Sequence, residues 1–351
     1  DLATAYEALY KKVAGLGGRF FHGWRAVGLL QETPGSRALG AVLVSEAGTV
    51  RPQPAGAVIA AMGGPAPLFD RNIAGAGNPG YSHGLLAEAG ATMANTGFLQ
   101  WMWGRADDGG FWPIWSLLEG SARLLDPEGR TVPLPDTLRS VASGRADHCP
   151  LGNGLPDAAL DRFVLAQADS RGEVTLEVSG EGRFQVALWA QAGNGGAVID
   201  AGARTSVPGL FAAGECATGM YGANRVGGAM VAACLVFGAR AGAAAACEAA
   251  DAFPSPDRFA AVWAARQPHL QCDPDERDMV RRELARALQQ QFFPTLSGEP
   301  SDAGPAWRQR LGTVSDVEAR LLLKTALLLV GTDVGAGWRP QKATRPVVAR
   351  S

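Results

Sequence analysis

The residues best placed to do chemistry are Glu215 and Arg225, which flank a glycine-dense turn. Arg225 stands in Gly222-Ala223-Asn224-Arg225-Val226-Gly227-Gly228, and a planar guanidinium suits bidentate capture of a carboxylate. Glu215 closes the run Val207-Pro208-Gly209-Leu210-Phe211-Ala212-Ala213-Gly214-Glu215, where a carboxylate can accept hydrogen bonds from ligand hydroxyls. Gly219, Gly222, Gly227 and Gly228 permit positive φ and close backbone approach, so amide N–H groups can face a ligand. Two elements must position this turn. The apolar run 210–213, punctuated by Gly209 and Gly214, reads as a short interior strand that delivers Glu215 at its carboxyl edge. From Ala229 an Ala-rich helix begins, and its unpaired N–H groups and positive dipole end welcome negative charge. The segment is built to receive a polar, partly anionic ligand.

This segment resembles the flavoproteins that include succinate dehydrogenase and fumarate reductase flavoprotein subunits and L-aspartate oxidase. Their motif is a strand ending Ala-Gly-Glu, then His-Gly-Ala-Asn-Arg-Leu-Gly-Gly-Asn-Ser-Leu and a helix. The chain matches at Gly214-Glu215 and from Gly222 to Gly228, and departs with Ala229-Met230-Val231 where Asn-Ser-Leu is usual. Other segments follow in the family's order. Gly56-Ala57-Val58-Ile59-Ala60-Ala61-Met62-Gly63-Gly64 is similar to a buried strand ending Ala-Thr-Gly-Gly beside the cofactor. Tyr81-Ser82-His83-Gly84 resembles a Thr-Gly-Asp-Gly loop with His83 in place of the aspartate, and Gly335-Ala336-Gly337-Trp338-Arg339 resembles a closing Gly-Ala-His-Tyr-Arg. The resemblance implies FAD as cofactor, held by Gly63, Gly64, Gly214, Glu215, Asn224, Gly227, Gly228, Met230 and Val231, with the 229–246 helix start facing the pyrimidine side of the flavin. It implies catalytic positions at Arg225, Gln191 and Tyr221. Arg225 matches the arginine that grips a substrate carboxylate, whereas Gln191 and Tyr221 stand where the family has histidines and neither is cationic near neutrality.

The proton-transferring arginine of the family has its nearest likeness at Pro135-Asp136-Thr137-Leu138-Arg139, where proline takes its place; Arg139 and Arg145 could substitute, although a surface role suits each. His148 beside Cys149 lacks a second ligand pair, so it makes neither a metal site nor an activated nucleophile. The Gly-x-Gly-x-x-Gly loop that opens such flavoproteins is missing. Its one formal match, Gly75-x-Gly77-x-x-Gly80, follows no apolar strand and is interrupted by Pro79. The expectation is a fragment lacking the first dinucleotide-binding unit, or one chain of a split protein. Alone it should bind FAD poorly, until a partner chain or a missing N-terminal segment completes the site.

Composition sets outer limits. At 351 residues the chain has room for two or three domains. A formal charge of −2 and a pI near 6.2 offer no basic face for nucleic acid. The five cysteines include no Cys-x-x-Cys pair, so no iron–sulfur cluster or zinc site is expected, and free thiols suit a cytoplasmic protein. No apolar run reads as approaching the ~20 residues of a membrane span, so no transmembrane segment is expected.

The expected fold class is α/β: a partial Rossmann-like FAD-binding domain (1–70 and 196–250), an inserted α+β capping domain (71–195) and a C-terminal helical domain (251–351). Within it the pattern predicts a helix over 2–13, strands over 19–30, 40–45 and 55–61 with the last two as a hairpin, a strand over 174–178, and helices over 275–291 and 314–330. The aromatic cluster Phe98, Trp101, Trp103, Phe111, Trp112 and Trp115 reads as cap core. The basic segment after Trp338 reads as a solvated tail. The function that follows is FAD-dependent hydride transfer between flavin N5 and a small acidic or amino-acid-like substrate, not a plain dicarboxylate. The alternative is a catalytically degenerate flavin-binding subunit serving in binding or assembly. An NAD(P)-linked reductase would need another Gly-x-Gly-x-x-Gly unit in mid-chain, and none stands there.

Overall fold

The computed structural model describes residues 2–75, 77–152, 154–218, 221–292 and 303–331. Helix α1 (Leu2–Gly15) leads into a three-stranded antiparallel meander of β1 (Trp24–Leu30), β2 (Gly40–Ser45) and β3 (Val50–Pro54), in the order β1-β2-β3. The expected hairpin between 40–45 and 55–61 is therefore corrected: β2 turns back on Val50–Pro54. Gly40 adopts φ +148, and a Cβ there would lie 2.1 Å from the Gln53 carbonyl oxygen, so the close approach of β3 requires glycine. The chain then leaves the meander as β4 (Val58–Ala60), which finds its partner far downstream.

Helix α2 (Ser82–Glu88) and β5 (Met93–Ala94) follow, and then the cap strands. These are β6 (Leu99–Arg105), β7 (Ala122–Leu125), β8 (Thr131–Val132), β9 (Val174–Val178) and β10 (Gly182–Gly193), in a five-stranded sheet of order β6-β10-β9-β7-β8. Short helices α3 (Ser116–Glu119), α4 (Asp136–Val141) and α5 (Ala158–Leu165) connect and cover it. The aromatic cluster divides. Trp101 and Trp103 are buried, Trp101 meeting Phe69 and Phe292, whereas Phe111 is 54% exposed.

After β10 the chain forms β11 (Gly196–Val198), β12 (Leu210–Ala212) and β13 (Ala217–Thr218). β11 is parallel to β13 and antiparallel to β5, and β12 pairs parallel with β4, Phe211 opposite Ile59. Among the described residues the parallel pairing of the expected Rossmann-like sheet is confined to two short pairs in separate sheets, β4–β12 and β11–β13. Ile59 is 41% exposed, so β4 is less buried than its apolar sequence implies.

The remaining helices are α6 (Ala229–Ala249), α7 (Pro256–Arg266), α8 (Pro274–Phe292), α9 (Gly304–Leu311) and α10 (Val317–Leu329). Serine and aspartate caps begin two of them: Ser255 accepts from the Arg258 amide, and Asp316 from the Ala319 amide at 2.7 Å. α10 is almost wholly buried, and an ion pair from Arg25 to Glu318 (2.8 Å) ties it to β1. α6 behaves differently. Its buried residues are Ala233, Ala241 and Ala245, while Val231, Leu235 and Val236 lie on the surface. By length and composition it could cross a membrane, which corrects the reading that no apolar run approaches that length. The Gly335–Arg339 likeness and the basic tail lie outside the described residues.

Candidate functional site

Three chain segments converge beyond the parallel strand pair: Gly63-Gly64 after β4, Gln191 to Gly196 at the end of β10, and Gly214-Glu215 after β12. Glu215 fastens them together. Its Oε1 accepts from the Gly193 amide at 2.8 Å, and a Cβ on Gly64 would lie 2.0 Å from the same oxygen. Gly64 is thus glycine because a carboxylate passes through the space a side chain would fill. Burial raises the Glu215 pKa, while the Gly193 amide and the Arg225 charge pull it back. Glu215 Oε1 is thus engaged inside the protein. Gly63 (φ +74) accepts at its carbonyl from Ser82 Oγ at 2.7 Å, and Gly214 (φ +75) starts the turn under Cys234.

Around this latch lie buried polar atoms that no protein group satisfies. Asn194 is fully buried with neither Oδ1 nor Nδ2 hydrogen-bonded, and Gln191 Oε1 is in the same state. Gln191 is the extra residue of a β-bulge, since Ala190 pairs with Trp101 and Ala192 with Gln100; a bulge re-aims a side chain that regular pairing would direct elsewhere. His83, in the first turn of α2, is fully buried and approaches the Gly195 and Glu215 backbone without making a hydrogen bond of normal geometry. Burial pushes its pKa down to about 4, so the ring is neutral at pH 7. Buried orphans of this kind in a native fold call for a ligand or ordered water.

The glycine turn forms the open side. At Gly222, Gly227 and Gly228 an added Cβ would meet no heavy atom within 4 Å, and Gly228 begins α6 with no side-chain cap over the first-turn amides. Met230 and Val231 occupy that first turn, and Asn224 is exposed beside it. Tyr221, by contrast, is turned inward: it is 4% exposed and its hydroxyl donates to the Ala229 carbonyl at 3.2 Å. Burial pushes its pKa up to about 12. Asn95 (φ +58) donates to the Tyr221 carbonyl at 3.0 Å and to Thr218 Oγ1, holding the turn against β13.

Arg225 points toward the cap. Its Nε donates to Gln100 Oε1 at 2.7 Å, and Gln100 Nε2 lies 3.3 Å from Cys149 Sγ. Among the described residues no carboxylate comes within ion-pair distance of this guanidinium. The cleft it shares with His148, Cys149 and Gln100 encloses about 20 Å³, room for roughly one water. The cap loop that forms the far wall is pinned from within. Arg145 (1% exposed) donates through Nε to Asp161 (0%) at 3.0 Å, and Asp161 also accepts from Trp103 Nε1 and the Leu151 amide. The expectation of a surface Arg145 is corrected: it is a buried scaffold residue, committed to Asp161 and to the His148 carbonyl at 2.6 Å. Arg139 sits on α4, donating to the Leu118 carbonyl. No metal-binding cluster occurs among the described residues.

The residues missed from sequence are Gln100, Asn95, Asn194 and the Asp161 network. Each is a polar residue placed by long-range pairing, with Asn95 half-buried and the others buried, and only the isolated Gln100 in an aromatic strand carried a local hint.

Residues 188–231, which span β10 to the first turn of α6, match the family model described as FAD binding domain. The L-aspartate oxidase of Caulobacter vibrioides is 33% identical over 251 residues, covering 66% of this chain and 48% of that protein. The chain spans about half the length of the curated relatives it matches. The Mycobacterium smegmatis Sdh1 structure superposes with a TM-score of 0.66 at 21% identity, covering 92% of this chain and 62% of that one. The E. coli quinol fumarate reductase FrdA gives a TM-score of 0.61 at 21% identity, covering 87% and 61%. Those two likenesses concern fold. In sequence, the Glu215 to Gly228 motif lies within the matched FAD binding domain, and the chain is similar to the flavoproteins that include L-aspartate oxidase and fumarate reductase.

Proposed function

We propose that this chain supplies the cap and the substrate-facing part of a flavin-dependent oxidoreductase acting on a small acidic or amino-acid-like molecule. The observation that carries the reading is Arg225, a guanidinium held by a neutral amide, with no carboxylate within ion-pair distance among the described residues, between the cap and an open glycine shelf. FAD, when bound, supplies the hydride-accepting and hydride-donating chemistry at its N5 atom. The protein groups fit such a ring: the uncapped α6 start offers amides and dipole to a negative pyrimidine edge, and Asn194 and Gln191 have buried polar atoms without protein partners.

Arg225 anchors the acid through its Nη edge, because Nε is already committed to Gln100. Gln191 and Tyr221 add no positive charge, so the site holds a monoacid or an amino acid better than a dianion. On this reading residues 1–70 and 196–250 form the cofactor domain, 71–195 the cap and 251–351 the helical domain. The exposed face of α6 and the second edge of β4 are then where a further nucleotide-binding segment, or a partner chain, completes the cradle.

A second reading, a flavin-binding subunit without turnover, is favoured by the one-water cleft beside Arg225 and by the inward-turned Tyr221 hydroxyl. The two separate in one experiment on the full-length gene product: anaerobic reduction of bound flavin by succinate, L-aspartate and other small acids or amines, and reoxidation by fumarate. Flavin that is spectrally intact yet inert to every acid and amine removes the enzymatic reading.

A further inference from the structure

A cavity of about 480 Å³ lies between β1, α2, α7 and α10, on the far side of α2 from the Glu215 latch and within the size range of small-molecule sites, roughly 300–1,000 Å³. Its apolar wall comes from Leu29, Leu85, Val262 and Leu321, and its polar wall from Arg258, Arg266 and His269 on and just after α7. One side is apolar and the other basic, so a ligand that fills it needs both a hydrocarbon body and an acceptor group.

The charge balance decides the sign of that group. Glu88, which lines the cavity, is claimed by three cations: Arg266 Nη2 at 2.5 Å, Lys324 Nζ at 3.0 Å and Arg320 Nε at 3.2 Å. Burial alone would raise its pKa, but Arg320, Lys324 and Arg266 hold the carboxyl down at about 2. One negative charge thus faces three positive ones, and both Glu88 oxygens are spent. Arg266 Nε is buried without an acceptor. At the rim Arg258 uses Nε for Glu32 at 2.9 Å, and no hydrogen bond engages its Nη atoms with another described residue. A cationic ligand would find Glu88 fully engaged and only the half-exposed rim carboxylate of Glu32, already paired with Arg258, whereas an anion meets the excess positive charge of Arg266 with Arg320 and Lys324 behind Glu88.

We infer that this cavity is a second ligand site, separate from the Arg225 cleft, for an amphipathic carboxylic acid whose carboxylate binds Arg258 and whose hydrocarbon body lies on Leu85, Val262 and Leu321. The carboxylate takes the Nη edge of Arg258, and the chain displaces water from the apolar wall. The inference does not depend on the redox reading, because none of these residues belongs to the flavin-side shelf.

The test is calorimetric titration of the full-length protein carrying Arg225→Ala, which removes the other acid-binding candidate, with hexanoate, hexan-1-ol and inorganic phosphate. Hexanoate is expected to bind saturably at one site per chain, at least tenfold more tightly than hexanol or phosphate. Arg258→Met should weaken hexanoate tenfold or more with little effect on hexanol, and Ala265→Trp, which fills the cavity, should abolish both. Equal affinity for hexanoate and hexanol, binding unchanged in either variant, or no saturable binding overturns the proposal. If Ala265→Trp fails to fold, Arg258→Met at the rim decides alone. Loss of flavin turnover in the Arg225→Ala background bears on the redox reading only.

Discussion

Replacing Asp161 with asparagine tests whether a buried charge pair in the cap positions the wall of the Arg225 cleft. Asp161 is wholly buried and accepts from Trp103 Nε1 at 2.7 Å, the Leu151 amide at 2.8 Å and Arg145 Nε at 3.0 Å. Asparagine keeps the volume but brings an NH₂ toward one of these donors and leaves Arg145, 1% exposed, without a counter-charge. Removing one partner of a buried pair costs about 3–5 kcal/mol, a large part of the roughly 5–15 kcal/mol that a domain has in total. The damage should stay local, because the network joins β6, α5 and the 145–151 loop and does not touch α10. Hydrogen exchange read by mass spectrometry is the assay. Peptides across 145–165 should exchange at least a hundredfold faster, while those from α10 stay protected. The double variant Arg145→Leu with Asp161→Leu removes both charges and should cost less than Asp161→Asn alone. Unchanged cap exchange in Asp161→Asn, or a double variant worse than the single, would refute the reasoning that uncompensated charge is the source of the effect.

Arg225→Ala should lower kcat/KM for any acid substrate by about 2–4 kcal/mol, or roughly 30- to 1,000-fold, with flavin content unchanged; unaltered kinetics would remove its assigned role. Gly64→Ala puts a Cβ 2.0 Å from Glu215 Oε1 and should pull the carboxylate off the Gly193 amide, costing about 1.5–3 kcal/mol. The readouts are the unfolding midpoint and FAD affinity, and a variant matching the parent in both would show that the latch is dispensable. The Glu88 carboxyl is depressed to about 2 in the fold, so its stabilisation is complete above the ordinary carboxylate pKa of about 4.5 and is lost as pH falls toward 2, worth about 3 kcal/mol. Glu88→Gln should therefore be less stable than the parent at pH 6, and the gap should close by pH 2.5; a gap constant with pH would place the effect elsewhere.

What the sequence revealed follows from where the determining forces are local. The strand at 210–212, the helix start at Ala229, the strand at 174–178 and the helices near 275–291 and 317–329 are set by apolar period, glycine punctuation and caps, all visible within a few residues. The partner of β2 was not visible, because it depends on Gly40, where a Cβ would lie 2.1 Å from the Gln53 carbonyl oxygen of β3. Arg145 looked like a surface residue because its acid lies on another element, and burial of an arginine depends entirely on that partner. Gln191 occupied a motif position in sequence, but only the ladder shows that a bulge aims it. Glu215 was identified by type and place, while its internal bond to Gly193 required three distant segments to meet.

Helix α6, with its exposed apolar face, packs on the β4–β12 pair, the orphaned polar atoms lie beyond the strand ends at the end of β10, and a single cause accounts for both. An apolar helix with three buried residues in twenty-one loses most of the burial energy its composition could supply, at roughly 25 cal/mol per Å² of surface left wet. A buried Asn194 side-chain amide without hydrogen bonds costs about 1–3 kcal/mol for each unsatisfied group. A sequence does not keep both penalties unless something covers the first and satisfies the second. A nucleotide-binding segment lying along β4 and α6 would cover the helix, and the ring of the cofactor that it holds would reach the polar atoms beyond the strand ends. The chain alone should therefore bind FAD weakly and an apolar dye strongly, and both should reverse together when a segment or partner chain that covers this face is supplied. If dye binding disappears while FAD affinity stays low, the two penalties have separate origins and the link between α6 and the flavin side of the site is wrong.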